Sequence, residues 1–237
     1  MTIRCLPTSL FDFLEKLAAN NDRDWFTPRK DRYRAEVLQP AVEFVAALEG
    51  PLAKAAPMLV ADARGHGGSV MRIYRDTRFS NDKTPYKTNL GINLPHAATV
   101  ERKRSDDPDA LMPPGGYLHV APEECFVGAG CWCPPPSSLK RIRAAIDDDP
   151  DGWRKATGGK RFRDAWHLGG DSLKTAPRDY PRDHPLIEDL RRKDFVGISP
   201  LTREELTTGD AVKLVIDRIR SVRPLMAFLC DAVGEPY

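Results

Sequence analysis

An α+β fold, one domain with a central, mostly antiparallel or mixed sheet between N-terminal and C-terminal helices, follows from three observations. Apolar residues recur at helical spacing through the first fifty residues. From Ser69 to Cys133 the period falls to two, as strands require. Helical spacing then returns near Pro136 and again over the last thirty residues. No internal repeat and no linker interrupts the order, so residues 1–237 read as a single domain.

The first helix is expected over Thr8–Asn20, where Phe11, Leu14, Leu17 and Ala18 share a face and Thr8 or Ser9 is placed to cap. A second helix should open at Thr27-Pro28 and kink or restart at Pro40, with Phe44, Val45, Leu48 and Leu52 continuing its apolar stripe. Between the two, Trp25 and Phe26 are read as a wedge. Val70–Arg75 and Thr88–Leu94 alternate as two strands joined by Thr77–Pro85, a connection longer than a tight hairpin needs.

His96–Gly115 is charged and rich in proline, and reads as an exposed excursion whose composition suits disorder. Tyr117–Ala121 and Cys125–Cys133 form the next hairpin. The second of these strands is small or apolar on both faces and should be central. Pro136–Ile146 is helical, Ser172–Thr175 and Phe195–Ser199 read as strands, and a helix lies near Pro185–Arg192. Thr202 and Glu205 match a capping box, and a last helix over Asp210–Val222 ends at Pro224.

The 36 basic and 34 acidic residues leave a net charge of +2, which argues against a surface made for nucleic acid. No apolar run would span a bilayer, and Asp12 and Glu15 break any signal-peptide core, so the expected setting is cytoplasmic. Cys5, Cys125, Cys131, Cys133 and Cys230 have no metal-ligand spacing, the histidines stand apart, and no metal site is expected. Gly65-His66-Gly67-Gly68 and Gly158-Gly159-Lys160 match neither dinucleotide-binding nor P-loop patterns.

Chemistry is concentrated in Met71–Asn89, MRIYRDTRFSNDKTPYKTN. Arg72, Arg75, Arg78, Lys83 and Lys87 surround two carboxylates, Asp76 and Asp82, with Tyr74, Phe79 and Tyr86 between them. Two cations about 5 Å apart repel by roughly 3 kcal/mol at an effective dielectric near 20. The surplus charge therefore calls for remote carboxylates or a bound anion. Arginine's planar fork suits carboxylate or phosphate. The candidate ligand-binding residues are Arg72, Arg75, Arg78, Lys83, Tyr86 and Lys87, and the expected ligand is a phosphate-bearing small molecule or nucleotide.

Three alternatives stand beside that reading. The cluster can be a structural arginine–aspartate network without a ligand. It can belong to a phosphoryl-handling or hydrolytic enzyme with Asp76 or Asp82 as base or metal ligand, although no nucleophile or zinc signature accompanies them. Nucleic-acid binding would draw on Arg141/Arg143, Arg161/Arg163 and Arg191/Arg192/Lys193. Cofactor and oligomeric state are not legible.

The stretch RIYRDTRFSNDKTPYKTN resembles the signature of a bacterial family described as domain of unknown function 2461, whose pattern is R-x-x-R-D-x-R-F followed by D/N-K-x-x-Y. It falls here on Arg72, Arg75, Asp76, Arg78, Phe79, Asp82, Lys83 and Tyr86. FLEKLAANNDRDWF with Lys30 and Tyr33, the GYLHV strand, the GAGCWCPPP segment and HPLIEDLRRKDF near Asp194 are similar as well. The likeness covers nearly the whole chain except the long excursion at 96–115. It implies a single-domain protein of unassigned activity, with its site in the motif.

Overall fold

A computed structural model describes residues 3–78, 80–102 and 111–237, with the side chain of residue 102 left undescribed. Phe79 and residues 103–110 of the charged excursion lie outside the described residues.

The N-terminal layer begins with α1 (Thr8–Ala19), which buries Leu10, Phe11, Phe13, Leu14 and Leu17. Its cap position is Pro7, whose ring carries no hydrogen-bonding group, and neither Thr8 nor Ser9 takes the capping role expected of them. The next cap is Asp22, which accepts from the Trp25 N–H at 2.7 Å and starts the single turn α2 (Arg23–Phe26). Thr27-Pro28 then continues as a 3-10 turn, followed by α3 (Lys30–Tyr33), a π-helical turn at Arg34–Leu38, and α4 (Gln39–Ala55). Pro40 sits at the start of α4 directly after the π-helical turn, the restart that the sequence predicts there. Phe13, Trp25, Phe26 and Tyr33 pack ring to ring, their centroids 5.5 to 6.4 Å apart, so the expected wedge is an aromatic cluster.

The sheet follows: β1 (Leu90–Leu94), α5 (Ala97–Arg102), β2 (Gly115–Val120) and β3 (Cys125–Cys131). Helices α6 (Pro136–Asp148), α7 (Pro150–Gly158) and α8 (Lys160–Ala165) come next, then β4 (His167–Gly169), α9 (Ile187–Leu190) and β5 (Phe195–Leu201). The chain closes with α10 (Arg203–Thr207), α11 (Ala211–Ser221) and α12 (Arg223–Val233). The five strands are ordered β1-β2-β3-β5-β4, every neighbouring pair antiparallel, and β3 lies in the middle. This is the α+β, single-sheet architecture that the sequence implies.

Helices α11 and α12 pack on β3 from the side of Cys125, Val127, Ala129 and Cys131. The same side of β2 and β5 carries Gly116, which faces Ile219 of α11, and Gly197, which faces Leu225 of α12. The opposite side presents Tyr117, His119, Phe126 and Ile198, all only partly covered. One face is thus core and the other is open. The Thr202–Glu205 capping box is formed in both directions, with Glu205 N–H to Thr202 Oγ1 at 3.1 Å and Thr202 N–H to Glu205 Oε2 at 2.7 Å.

Two expected strands are not regular. Val70–Arg75 lies beside β1 and the residues that precede it, bridging them at Val70–Ile92 and Tyr74–Tyr86 rather than in a regular ladder. Four residue steps on the first arm oppose six on the second, so the ladder slips its register at Thr88-Asn89 and cannot continue as a strand. Ser172–Thr175 makes one bridge, Ser172–Arg192, while the fifth strand is the three-residue β4 immediately before it. The far ends of β3 and β5 are tied by Asp194. Its buried carboxylate accepts from the backbone N–H of Cys133 at 2.7 Å and of Asp171 at 2.8 Å. In the described flanks of the excursion, His96 is buried and its Nε2 lies 2.8 Å from the Pro236 carbonyl oxygen.

Candidate functional site

The motif leaves β1 at the edge of the sheet and closes on itself. Arg75 pairs with Asp82 and also donates to Thr84 Oγ1 at 2.5 Å. Arg78 clasps Asp76 with both edges of its guanidinium, Nε to Oδ1 at 3.0 Å and the terminal nitrogen to Oδ2 at 2.7 Å. Lys83 Nζ donates to the Thr77 carbonyl at 2.9 Å. The two aspartates also fold the backbone locally, Asp76 accepting from the Arg78 N–H and Asp82 from the Thr84 N–H at 2.9 Å.

These contacts set the charge states. The Thr84 backbone N–H, then Arg75, hold the Asp82 carboxyl down at about 2. Asp76 is held below the usual carboxylate range by Arg78 first, with the charge of Arg72 adding a smaller push. Both carboxylates are therefore committed anions, already engaged as acceptors. Among the described residues no group of three or more His, Cys, Asp and Glu is arranged to hold a metal ion.

Tyr86 is a packing residue. It is 3% exposed, and its ring stacks on Phe26 with centroids 4.1 Å apart and an interplanar angle of 29°. Asn21 clasps its backbone from the N-terminal layer: Asn21 Oδ1 accepts from the Tyr86 N–H at 3.1 Å, and Asn21 Nδ2 donates to the Tyr86 carbonyl at 3.0 Å.

Two cations of the motif stand differently. Among the described residues, Arg72 and Lys87 have no carboxylate within ion-pair distance. Burial, and then the neighbouring charge of Arg72, pull the Lys87 ammonium below its ordinary value. The charge of one therefore acts on the other while neither makes an ion pair, an arrangement that an anion relieves.

The register slip beside β1 brings in residues that the motif alone does not reveal. Asn89 reaches β2, where its Nδ2 lies 3.4 Å from Tyr117 Oη and 3.4 Å from His119 Nδ1, and these two atoms are themselves 3.4 Å apart. Gly91 makes the approach possible: a Cβ there would stand 2.6 Å from Tyr117 Oη and 3.0 Å from Met71 Sδ. His119 stacks on Phe126, centroids 4.8 Å apart and planes 4° from parallel. Burial pushes the Tyr117 phenol up and the His119 imidazole down. Strict alternation in GGYLHV already places Tyr117 and His119 on one face, but their meeting with Asn89 depends on strand register.

The scattered arginines of the nucleic-acid reading are partly occupied inside the fold. Arg143 donates to the carbonyls of Leu190 and Arg192 at 2.8 and 2.9 Å. Arg191 donates to the Leu173 carbonyl at 2.8 Å, and Arg192 to that of Gly169 at 3.3 Å. No helix of the described residues is long and apolar enough to cross a membrane.

Comparison with known proteins agrees with the motif. A family model described as a conserved hypothetical protein, DUF2461, matches residues 9–228. No curated protein and no solved structure matches the chain. With the match spanning the helical layer, the motif, the whole sheet and most of α12, the chain belongs to the DUF2461 family.

Proposed function

We propose that the protein binds a small phosphate-bearing anion, and that Arg72 and Lys87 are the residues that meet its charge. The observation that carries this reading is the contrast within one motif. Arg75 and Arg78 are neutralised by Asp82 and Asp76, and Lys83 is anchored on a carbonyl, while among the described residues Arg72 and Lys87 make no ion pair and the charge of Arg72 bears on Lys87. In this division of labour the paired residues shape the loop, and the remaining two create the attraction. The structural network considered from the sequence accounts for the first group but leaves the second without a role. A cytoplasmic setting goes with this reading, because phosphate esters are met chiefly inside the cell.

Titration calorimetry with inorganic phosphate and a panel of phosphate esters tests it. Wild-type protein should bind, with affinity falling as salt is raised. Arg72→Ala and Lys87→Ala should each weaken binding about tenfold, the loss of one charge-assisted contact. Arg78→Ala should change it far less. Affinity that is unaltered in both of the first two variants, or no binding to any member of the panel, would sink the proposal.

A further inference from the structure

The first arm of the motif lies outside β1, so its far side is a margin of the sheet. Its inner side is taken. The Ser69 carbonyl accepts from the Asn93 N–H at 2.8 Å and the Met71 N–H donates to the Gly91 carbonyl at 2.9 Å. Further along, the Ile73 carbonyl accepts from the Lys87 N–H at 2.7 Å and the Arg75 N–H donates to the Pro85 carbonyl at 3.0 Å. Every second residue thus turns its peptide groups toward the neighbouring chain, which directs those of Arg72 and Tyr74 the other way. Among the described residues, no hydrogen bond engages the backbone N–H or C=O of either.

Elsewhere the molecule protects such groups. Asn21 answers both backbone groups of Tyr86 on the second arm. At the opposite margin β4 is only three residues long, which leaves little edge to offer. The side chains along the first arm are those of a contact surface. Met71 is 41% exposed and Tyr74 48%, two of the three exposed large apolar residues among the described residues. The Tyr74 ring is held against Tyr86, centroids 5.5 Å apart. Arg72 stands between them in the chain, exposed and, among the described residues, without an ion pair. Strand alternation puts Arg72 and Tyr74 on one face and Met71 on the other.

We propose that the outer edge of the first arm receives an extended acidic segment of a partner protein as an added strand. The backbone groups of Arg72 and Tyr74 hydrogen-bond to it, a carboxylate of the segment meets Arg72, and an apolar side chain two residues away covers Tyr74. Charge selects the occupant. A second copy of this chain, in either antiparallel register that joins these groups, would bring its own Arg72 opposite or diagonal to this one, and like charges there oppose pairing. An acid in that place is attracted instead. The inference goes beyond the phosphate reading and shares only Arg72 with it.

Two-dimensional NMR with amide hydrogen exchange tests it on the wild-type protein. The probes are a short capped peptide alternating glutamate and valine, the same peptide with lysine for glutamate, and the glutamate peptide with every backbone nitrogen methylated, which keeps the charge and removes the donors. At saturation the glutamate peptide should slow exchange of the Arg72 and Tyr74 amides roughly tenfold or more. The lysine and methylated peptides should bind roughly tenfold more weakly or worse. Arg72→Glu, with folding checked by thermal unfolding, should reverse the preference in favour of the lysine peptide. Exchange at these two amides that no peptide slows would overturn the proposal. So would a methylated peptide that binds as well as its parent, since charge alone would then hold it. Exchange that slows with rising protein concentration and no peptide would identify a second copy as the occupant and overturn the acidic segment. Inorganic phosphate that binds while no peptide does would overturn this inference alone, and peptide that binds while phosphate does not would overturn the anion reading alone.

Discussion

Replacing Tyr86 decides whether a family-signature residue acts through packing or through a ligand. The ring is 3% exposed and stacks on Phe26 at 4.1 Å. Removing a buried aromatic side chain costs roughly 3–5 kcal/mol, and an aromatic pair adds about 0.5–1.5 kcal/mol beyond its area. The backbone clasp from Asn21 is kept in any variant, so Tyr86→Ala should lose about 4 kcal/mol. For a domain of this size each kcal/mol moves the unfolding midpoint by roughly 2–4 °C, which predicts a fall of about 8–16 °C. Tyr86→Phe preserves the ring and should stay within about 0.5 kcal/mol of wild type. Urea and thermal unfolding read both variants, and calorimetry with phosphate reads binding. Tyr86→Ala melting at the wild-type temperature would refute the packing role. Tyr86→Phe that stays stable but no longer binds phosphate would show that the hydroxyl touches the ligand.

Three further outcomes are expected. Asp194→Ala removes a carboxylate that accepts two backbone N–H groups, and at about 1.5–3 kcal/mol for each bond to a charged group it should cost roughly 3 kcal/mol or more by urea unfolding, with Asp194→Asn intermediate. The Asp82 carboxyl is lowered from 3.8 to about 2, so its contribution to loop closure is complete above pH 4 and is lost as pH falls through 2; a carbon-detected titration should place its midpoint near 2, and Thr84→Pro, which removes the leading donor, should raise it. Gly91→Ala places a methyl 2.6 Å from Tyr117 Oη and should displace that ring from Asn89 and His119; two-dimensional NMR should show shifts centred on these three residues, and unchanged spectra would mean that the face has more room than described.

Much of this molecule is written in local patterns, and the exceptions share one physical origin. The stripe of α1, the centrality of β3 and the capping box depend on neighbours within a few residues, and all are present in the fold. Val70–Arg75 alternates like a strand, yet regularity also needs a partner in constant register, and the slip at Thr88-Asn89 denies it one. β4 spans three residues, too few for any period to show. At the site, the excess of arginine and lysine over acid was legible as composition. Which cations are satisfied was not, because Arg75–Asp82 and Arg78–Asp76 are choices of loop geometry. Asn89, Tyr117 and His119 were harder still, since they meet only when β1 and β2 align. The alternation in GGYLHV gives the one early hint.

The clasp of Asn21 on Tyr86 is a peptide group impersonated by a side chain. One carboxamide supplies both the donor and the acceptor that an adjacent strand would otherwise bring. At that point the outer edge of the motif's second bridged arm is sealed from within, and a foreign strand finds both hydrogen-bonding valences taken. No acid can serve in its place, because aspartate would accept from the Tyr86 N–H but leave the carbonyl unanswered. A helical layer and a loop sixty-five residues downstream are thereby fastened through a single amide, as a rivet joins two plates.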